Sequence, residues 1–553
     1  MKPTVKSVAL TVVLLGLVLG PWLSRAAEPN GAEPSSPPLF DTLGGYQHSV
    51  TTNSELAQRY FNQGLRLVYG FNHAEAMRAF RHVAQIDPRC AMAHWGLALA
   101  LGPNINAPMS DQRGREAYAA IQQAIVLARY ASEHDRAYIE ALATRYVAEP
   151  ESADRAALNR AYAEAMRGLS ERYPDDPDAR TLFAAALMNI RPWDYWTPEG
   201  QPEANTLQLV AALESVLERF PDHIGAIHYY IHAVEASSQP ERALPYARRL
   251  GELIPGSGHL VHMPSHIYMR LGLYHDAALS NTRAIEADET YIEAEAPRGL
   301  YPNMYYPHNI DFLWAAQHME GRSVEAIETA RKLAERVPVE RARQFPVLEA
   351  WTAMPLCALV RFGKWQAVLE EPRPPADLRY MTGLWHYARA LAFAATDRLD
   401  EARTEQTELN AVLTTFDTGR QMMGRNSATD LLGIAVRVVA GELAARAGKT
   451  DEAVRQLEEA VAGQDRLRYS EPPPWYYPVR QSLGAVLLDA GRPAEAEAVY
   501  REDLRRNPDN GWSLYGLAQS LHGQKKTLPA RRVEREFQKA WARADVRLRA
   551  SRF

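Results

Sequence analysis

Two cysteines in 553 residues leave little room for a disulfide framework. Cys90 and Cys357 lie far apart, each in an apolar helical context (Arg89-Cys90-Ala91-Met92 and Pro355-Leu356-Cys357-Ala358). They read as buried free thiols, so stability has to come from packing. Basic residues are not in excess: 62 Lys and Arg stand against 67 Asp and Glu, a net charge of −5. With no DNA- or RNA-binding motif either, nucleic acid is excluded as a partner class. After the first twenty residues no run is long and apolar enough to span a bilayer. The chain has no Gly-rich phosphate loop, no G-x-S-x-G elbow and no C-x-x-C-H haem setting. It also lacks the H-E-x-x-H of zinc proteases. The nearest stretch, His228–Glu235, reads H-x-x-x-H-x-x-E, and Tyr229 stands where the general base would be.

What is present is ordinary in composition, with 46% hydrophobic and 23% charged residues. The length is too great for one compact core, which calls for several domains or an array of repeats. At the N-terminus Lys2 and Lys6 precede the apolar run Val8–Leu19. Gly20-Pro21 breaks the run, and Ser24-Arg25-Ala26 offers small residues at a cleavage site. This is the layout of a secretory signal peptide and predicts an exported protein, periplasmic or secreted, touching a membrane only before cleavage. Loss of Lys2, Lys6 and Arg25 would take the net charge from −5 to −8.

Regular structure is expected from Glu55 onward. The segment Ala57–Asp87 and the following Pro88 carry Gly64, Ala76, Phe80 and Pro88 at positions 8, 20, 24 and 32 of a 34-residue frame. Small residues at 8 and 20 let two helices approach closely, and the proline ends the second helix. The frame returns as Ala243 and Pro255, Ala277 and Ala284, Ala326 and Pro338, and Gly484, Ala496, Tyr500 and Pro508. This pattern resembles the tetratricopeptide-repeat (TPR) family over nearly all of residues 55–540, here in an exported bacterial-type protein. The resemblance implies an all-α fold, a right-handed TPR superhelix of about ten helical hairpins, each packing on its neighbours without β-sheet. Four Pro-rich inserts interrupt the period: Gly102–Met109, Arg191–Pro202, Glu293–Tyr306 and Tyr469–Tyr477. The last three are also aromatic and read as packed loops, or as walls or a lid of a groove. The chain thus divides into a signal peptide (1–26), a flexible linker (27–54), N-terminal repeats with inserts (55–223), central His-rich repeats (224–340), C-terminal repeats (341–540) and a basic tail (541–553) with a solvated capping face.

The central repeats hold the candidate site. His228 and His232 lie four residues apart, as do His262 and His266, and the two pairs are offset by 34 residues. Histidines at i and i+4 share a helix face about 5–6 Å apart at Cβ and can chelate one ion from one side. The family resemblance places positions 2, 5, 9 and 12 of each first helix on a concave groove. There it puts His228, His232, His262 and His266 with Glu235 and His308 as metal-ligating candidates, and His259, Asp311, Tyr229, Tyr305 and Tyr306 as groove-lining residues. The four imidazoles are expected to converge on a common point, with any excess groups serving a second ion or orienting the ligands. Zinc or copper is the expected ion, Met263 and Met269 favouring copper. No catalytic residue is assigned. His223, His275 and His318 fall outside the stripe. Three functions follow: a metal-binding protein with metal-dependent chemistry, a scaffold taking a peptide, protein or small molecule in its groove, or a metal carrier or sensor without turnover.

Overall fold

Phe80 shows why the repeat keeps glycine at position 8. In the computed structural model a Cβ added to Gly64 would meet the Phe80 ring at 2.6–2.9 Å, and one added to Gly96 in the next hairpin would meet it at 2.5–2.7 Å. The bulky ring of one second helix fills the notch that two glycines leave in the first helices on either side of it. Tyr500 repeats the device between Gly484 and Gly516. These side-chain relations confirm TPR-like helical hairpins. The structure describes residues 36–345, 347–416, 421–422 and 425–553. The predicted signal peptide lies outside them.

The described residues form two compact units. One comprises 36–39, 47–68 and 72–193; the other comprises 40–46, 69–71 and 194–553. In the first, helices include His73–Ile86, Ala91–Leu101, Asp111–Leu127, Glu133–Ala143, Arg155–Arg172 and Pro177–Met188. Five of these six starts are fixed by side-chain caps on the free amides, from Asn72, Ser110, Ser132, Asp154 and Asp176; Ala91–Leu101 has none. The described part of the segment read as a linker, residues 36–54, has no helix, but His48 Nδ1 meets Asp178 at 2.6 Å and Thr51 N donates to Asp135 at 2.8 Å.

In the second unit hairpins continue from Thr206–Arg219 to Thr527–Ala540. The all-α expectation holds there, and one other expectation needs correction. The one strand pair among the described residues, Gln421–Met422 with Asn426–Ser427, is a two-residue ladder and not a sheet of consequence. Hairpins, however, do not pack only on their sequence neighbours. Trp512 Nε1 donates to His318 O at 3.0 Å and Tyr274 OH to Pro508 O at 3.0 Å. Asp545 accepts from the first amides of Ser323–Glu335. The tail keeps Arg543, Arg547 and Arg549 in solvent as expected, while Leu548, Trp541 and Phe553 pack with Ala326, Phe362 and Trp512. Apolar residues between the arginines of the tail explain this; burying them is favourable while the charged heads stay in water.

Candidate metal centre

Helix Ile224–Val234 is buried along its whole length. His223 caps its start, accepting from Ala226 N at 3.1 Å, and its other ring nitrogen meets Tyr46 OH at 2.9 Å. The equivalent helix of the next repeat is broken by Pro264 into Gly258–His262 and Pro264–Arg270. Between these helices lie His228, His232, His259, His262 and His266, each no more than 2% exposed. His308, partly exposed, joins them from Tyr306–Met319.

The six rings divide into two trios. His228, His232 and His259 offer nitrogens within 4.8 Å of one another, and so do His262, His266 and His308. The four histidines of the two i, i+4 pairs therefore contribute to two groups and not to one point. His228 Nε2 and His259 Nε2 are 3.2 Å apart; His262 Nε2 and His266 Nε2 are 3.0 Å apart. The trios adjoin, with ring centroids 5.3 Å apart for His232 and His266 and 5.8 Å for His259 and His262.

What stands behind each ring settles its proton. His228 Nδ1 faces the Tyr69 carbonyl at 2.6 Å, an acceptor only, so that nitrogen carries the hydrogen. His262 Nδ1 lies 2.7 Å from Asn281 Oδ1, whose amide nitrogen is committed to Ala277 O at 2.8 Å. Glu235 serves two rings, with Oε1 2.7 Å from His232 Nδ1 and Oε2 2.5 Å from His266 Nδ1. A neutral imidazole has one N–H. With Nδ1 donating in all four, each Nε2 presents a bare lone pair to the interior. With both rings in this tautomer, His262 and His266 turn Nε2 lone pairs toward each other at 3.0 Å.

Burial works against a charge on five of the six rings. Burial, then the neighbouring histidines, holds His259 and His262 well below the ordinary imidazole range; burial followed by His232 does the same for His228. Burial also lowers His232 against the pull of Glu235, and lowers His308 to about 3. Burial alone would raise the Glu235 carboxyl, but the charges and hydrogen bonds of His266 and His232 hold it below the usual carboxylate range. One anion thus sits beneath two histidines from different trios.

The site is covered on several sides. Phe71 adopts φ 57°, a strained conformation for a bulky residue, and its ring lies 4.5 Å from His228 and 5.4 Å from His259. Phe312 lies 4.5 Å from both His262 and His266. The aromatic inserts contribute directly. Tyr305 lies 4.7 Å from His259, and Trp196 Nε1 donates to Ala233 O at 2.7 Å. Tyr469 OH reaches Glu235 Oε2 at 3.3 Å and Glu471 at 2.7 Å, and Arg270 binds the Glu235 carbonyl. Burial raises the Glu471 carboxyl to about 7.

The residues read as lining a groove are themselves buried. His259 joins the first trio, and Tyr229 packs 6.0 Å from Phe71. Tyr306 OH donates to Glu289 at 2.6 Å, and Asp311 accepts from Trp351 Nε1 at 3.0 Å, both with partners outside the trios. Met269 packs beside Tyr268 and Ala277. His275 is about one-third exposed beside Glu320, and His318 meets Trp314 edge to face. Sequence reasoning missed Tyr69, Phe71, Asn281, Arg270, Tyr469 and Glu471. A signal existed only for the last two, which stand in an aromatic insert, and for Asn281, a polar residue on the second helix opposite His262. A smaller group, His48, Asp176 and Asp178, lies in the first unit.

No protein-family model matches the chain. No curated protein matches it either. Among solved structures it is similar to the human IFIT1 dimer with m7Gppp-AAAA, at 13% identity and a TM-score of 0.32, over 81% of this chain and 90% of that one. It is also similar to yeast Tom70, at 12% identity and a TM-score of 0.25, over 88% of this chain and 93% of that one.

Proposed function

We propose that this protein binds two transition-metal ions, one in each histidine trio, with Glu235 orienting a ligand of each. The observation that carries the reading is the set of four Nδ1 atoms held against Tyr69 O, Asn281 Oδ1 and the two Glu235 oxygens, which supports the tautomer with four bare Nε2 atoms. Histidines that ligate metals donate their other N–H to a carboxylate or carbonyl in this way. Spacing supports it. With bonds of ~2.0–2.1 Å, nitrogens 3.0 and 3.2 Å apart subtend about 95–105° at an ion, within the range of adjacent ligands around one metal. The donor set is all imidazole, which suits zinc or copper. Three nitrogens leave a coordination position for a small molecule, the condition under which a bound ion supports chemistry and not only structure. The peptide-scaffold reading has less support, because a peptide groove has to be open and these rings are buried. The N-terminal apolar run supports export, so the metal would be acquired outside the cytoplasm.

Metal content of the mature protein, purified from the exported fraction without a histidine tag, tests the reading. Two equivalents per chain are expected. His228→Ala and His262→Ala should each lose about one, and His275→Ala none. A metal-free protein that gains no thermal stability from zinc, copper, iron or manganese refutes it. An N-terminus at Met1 on natively expressed protein refutes export.

A further inference from the structure

Arg361 is buried at 5% exposure on helix Met354–Arg361, remote in sequence from the histidines. Among the described residues, its Nε and Nη2 have no hydrogen-bond partner. Burial pushes its guanidinium down to about 10, so it remains a cation at neutral pH. The guanidinium lies over the Trp512 ring at 3.5 Å and is 5.4 Å from the Tyr477 ring. An aromatic face attracts a cation but accepts none of its in-plane N–H bonds. Leaving such a charge buried and unpaired is costly.

Arg361 borders a cavity of about 50 Å³, together with Tyr387, Tyr476, Tyr477, Glu442 and Arg552. The one acid on its wall is already committed, with Glu442 Oε2 3.0 Å from Arg552 Nη1. Asp503, the carboxylate whose field Arg361 feels, is held by Ser513 Oγ at 2.5 Å and by Gln481 and Asn510. Hydroxyls complete the lining. Tyr387 OH and Tyr476 OH are 3.0 Å apart, and Tyr477 OH and Ser482 Oγ are 3.1 Å apart. Within each pair one hydroxyl donates to the other, which leaves the second proton to give. A water needs ~10–15 Å³ by this measure, so the space takes about four waters or a group of about four heavy atoms.

We propose that this cavity binds a small monocarboxylate, paired with the Arg361 fork and hydrogen-bonded by the tyrosine hydroxyls. Planar two-oxygen geometry matches the fork, and aromatic walls suit a short carbon end. The site is independent of the histidine centre.

Acetate is the probe. Calorimetric titration of the full-length mature chain with sodium acetate, at constant ionic strength set with sodium chloride, should give a saturable isotherm near one equivalent. Arg361→Gln should weaken it at least tenfold. Tyr476→Phe, which keeps the ring, should weaken it several-fold and decides the matter if the arginine variant does not fold. Chloride alone should give no saturable heat, and inorganic phosphate should bind more weakly than acetate. Absence of saturable acetate binding to wild type overturns the proposal, as does equal binding to Arg361→Gln or tighter binding of phosphate.

Discussion

Glu235→Gln keeps the shape of a buried side chain and changes only what it can accept. In the native protein both carboxylate oxygens receive an Nδ1–H, from His232 at 2.7 Å and His266 at 2.5 Å. A glutamine offers one oxygen and one NH2. One histidine therefore meets a donor with its own donor, and it escapes by moving its hydrogen to Nε2. That ring then turns an N–H and no longer a lone pair toward the proposed ion position, and its trio would lose a ligand. The negative charge nearest the proposed ions would be lost as well. Outer partners of this kind are worth about 10–100-fold in metal affinity, or ~1.4–2.8 kcal/mol. The loss should fall chiefly on one of the two sites, since the remaining oxygen still serves the other histidine. Competition against a chelator of known affinity, with zinc or copper, should resolve one weakened and one nearly native equivalent. A Glu235→Gln protein with native melting temperature and two native affinities would refute the tautomer argument.

Other outcomes follow from the same contacts. Burial raises the Asp311 carboxyl to about 7, against 3.8 unfolded, so the unfolded chain releases this proton first and native stability falls between pH ~4 and ~7. Asp311→Asn should abolish that fall, gaining up to ~4 kcal/mol relative to wild type from pH 4 to pH 8 in denaturant titrations; parallel pH profiles would contradict it. Gly64→Ala drives a methyl into the Phe80 ring and should cost ~1–3 kcal/mol, with Phe80→Leu recovering part of it, as read by thermal unfolding. Gly258→Ala places a Cβ 2.7 Å from the Ala284 carbonyl and 2.0 Å from Asp288 Oδ1, so Gly258–His262 has to shift. Metal content at both trios should drop with it, because that helix carries His259 and His262; unchanged content would show that the trios tolerate the shift.

How much of this could be read from the sequence depends on range. The 34-residue spacing made the hairpins legible because glycine, alanine and aromatic positions act between neighbouring helices, and Gly64 with Phe80 does what the pattern implies. The same spacing brought His228, His232, His262 and His266 to one region. The division into trios was not legible: the repeat frame put His259 and His308 on the same inner face, but no spacing assigns one of them to each group. Nor was the covering of the site, because no periodicity reports that Tyr469 meets Glu235 across 234 residues or that Phe71 lies against His228. The return of Trp512 and Phe553 onto residues 318–363 is of the same kind. Repeat patterns encode contacts between adjacent hairpins; closure of an array on itself leaves no regular mark.

The cover over the histidines has a kinetic consequence. Five of the six rings are at most 2% exposed, and the sixth, His308, is the partly exposed one. An ion bound as proposed would not leave by simple exchange with solvent ligands. Some covering segment would have to lift, and the frequency of that opening would set the residence time whatever the affinity. Occupancy of such a centre would record the conditions in which the chain closed and lag behind later changes in metal supply.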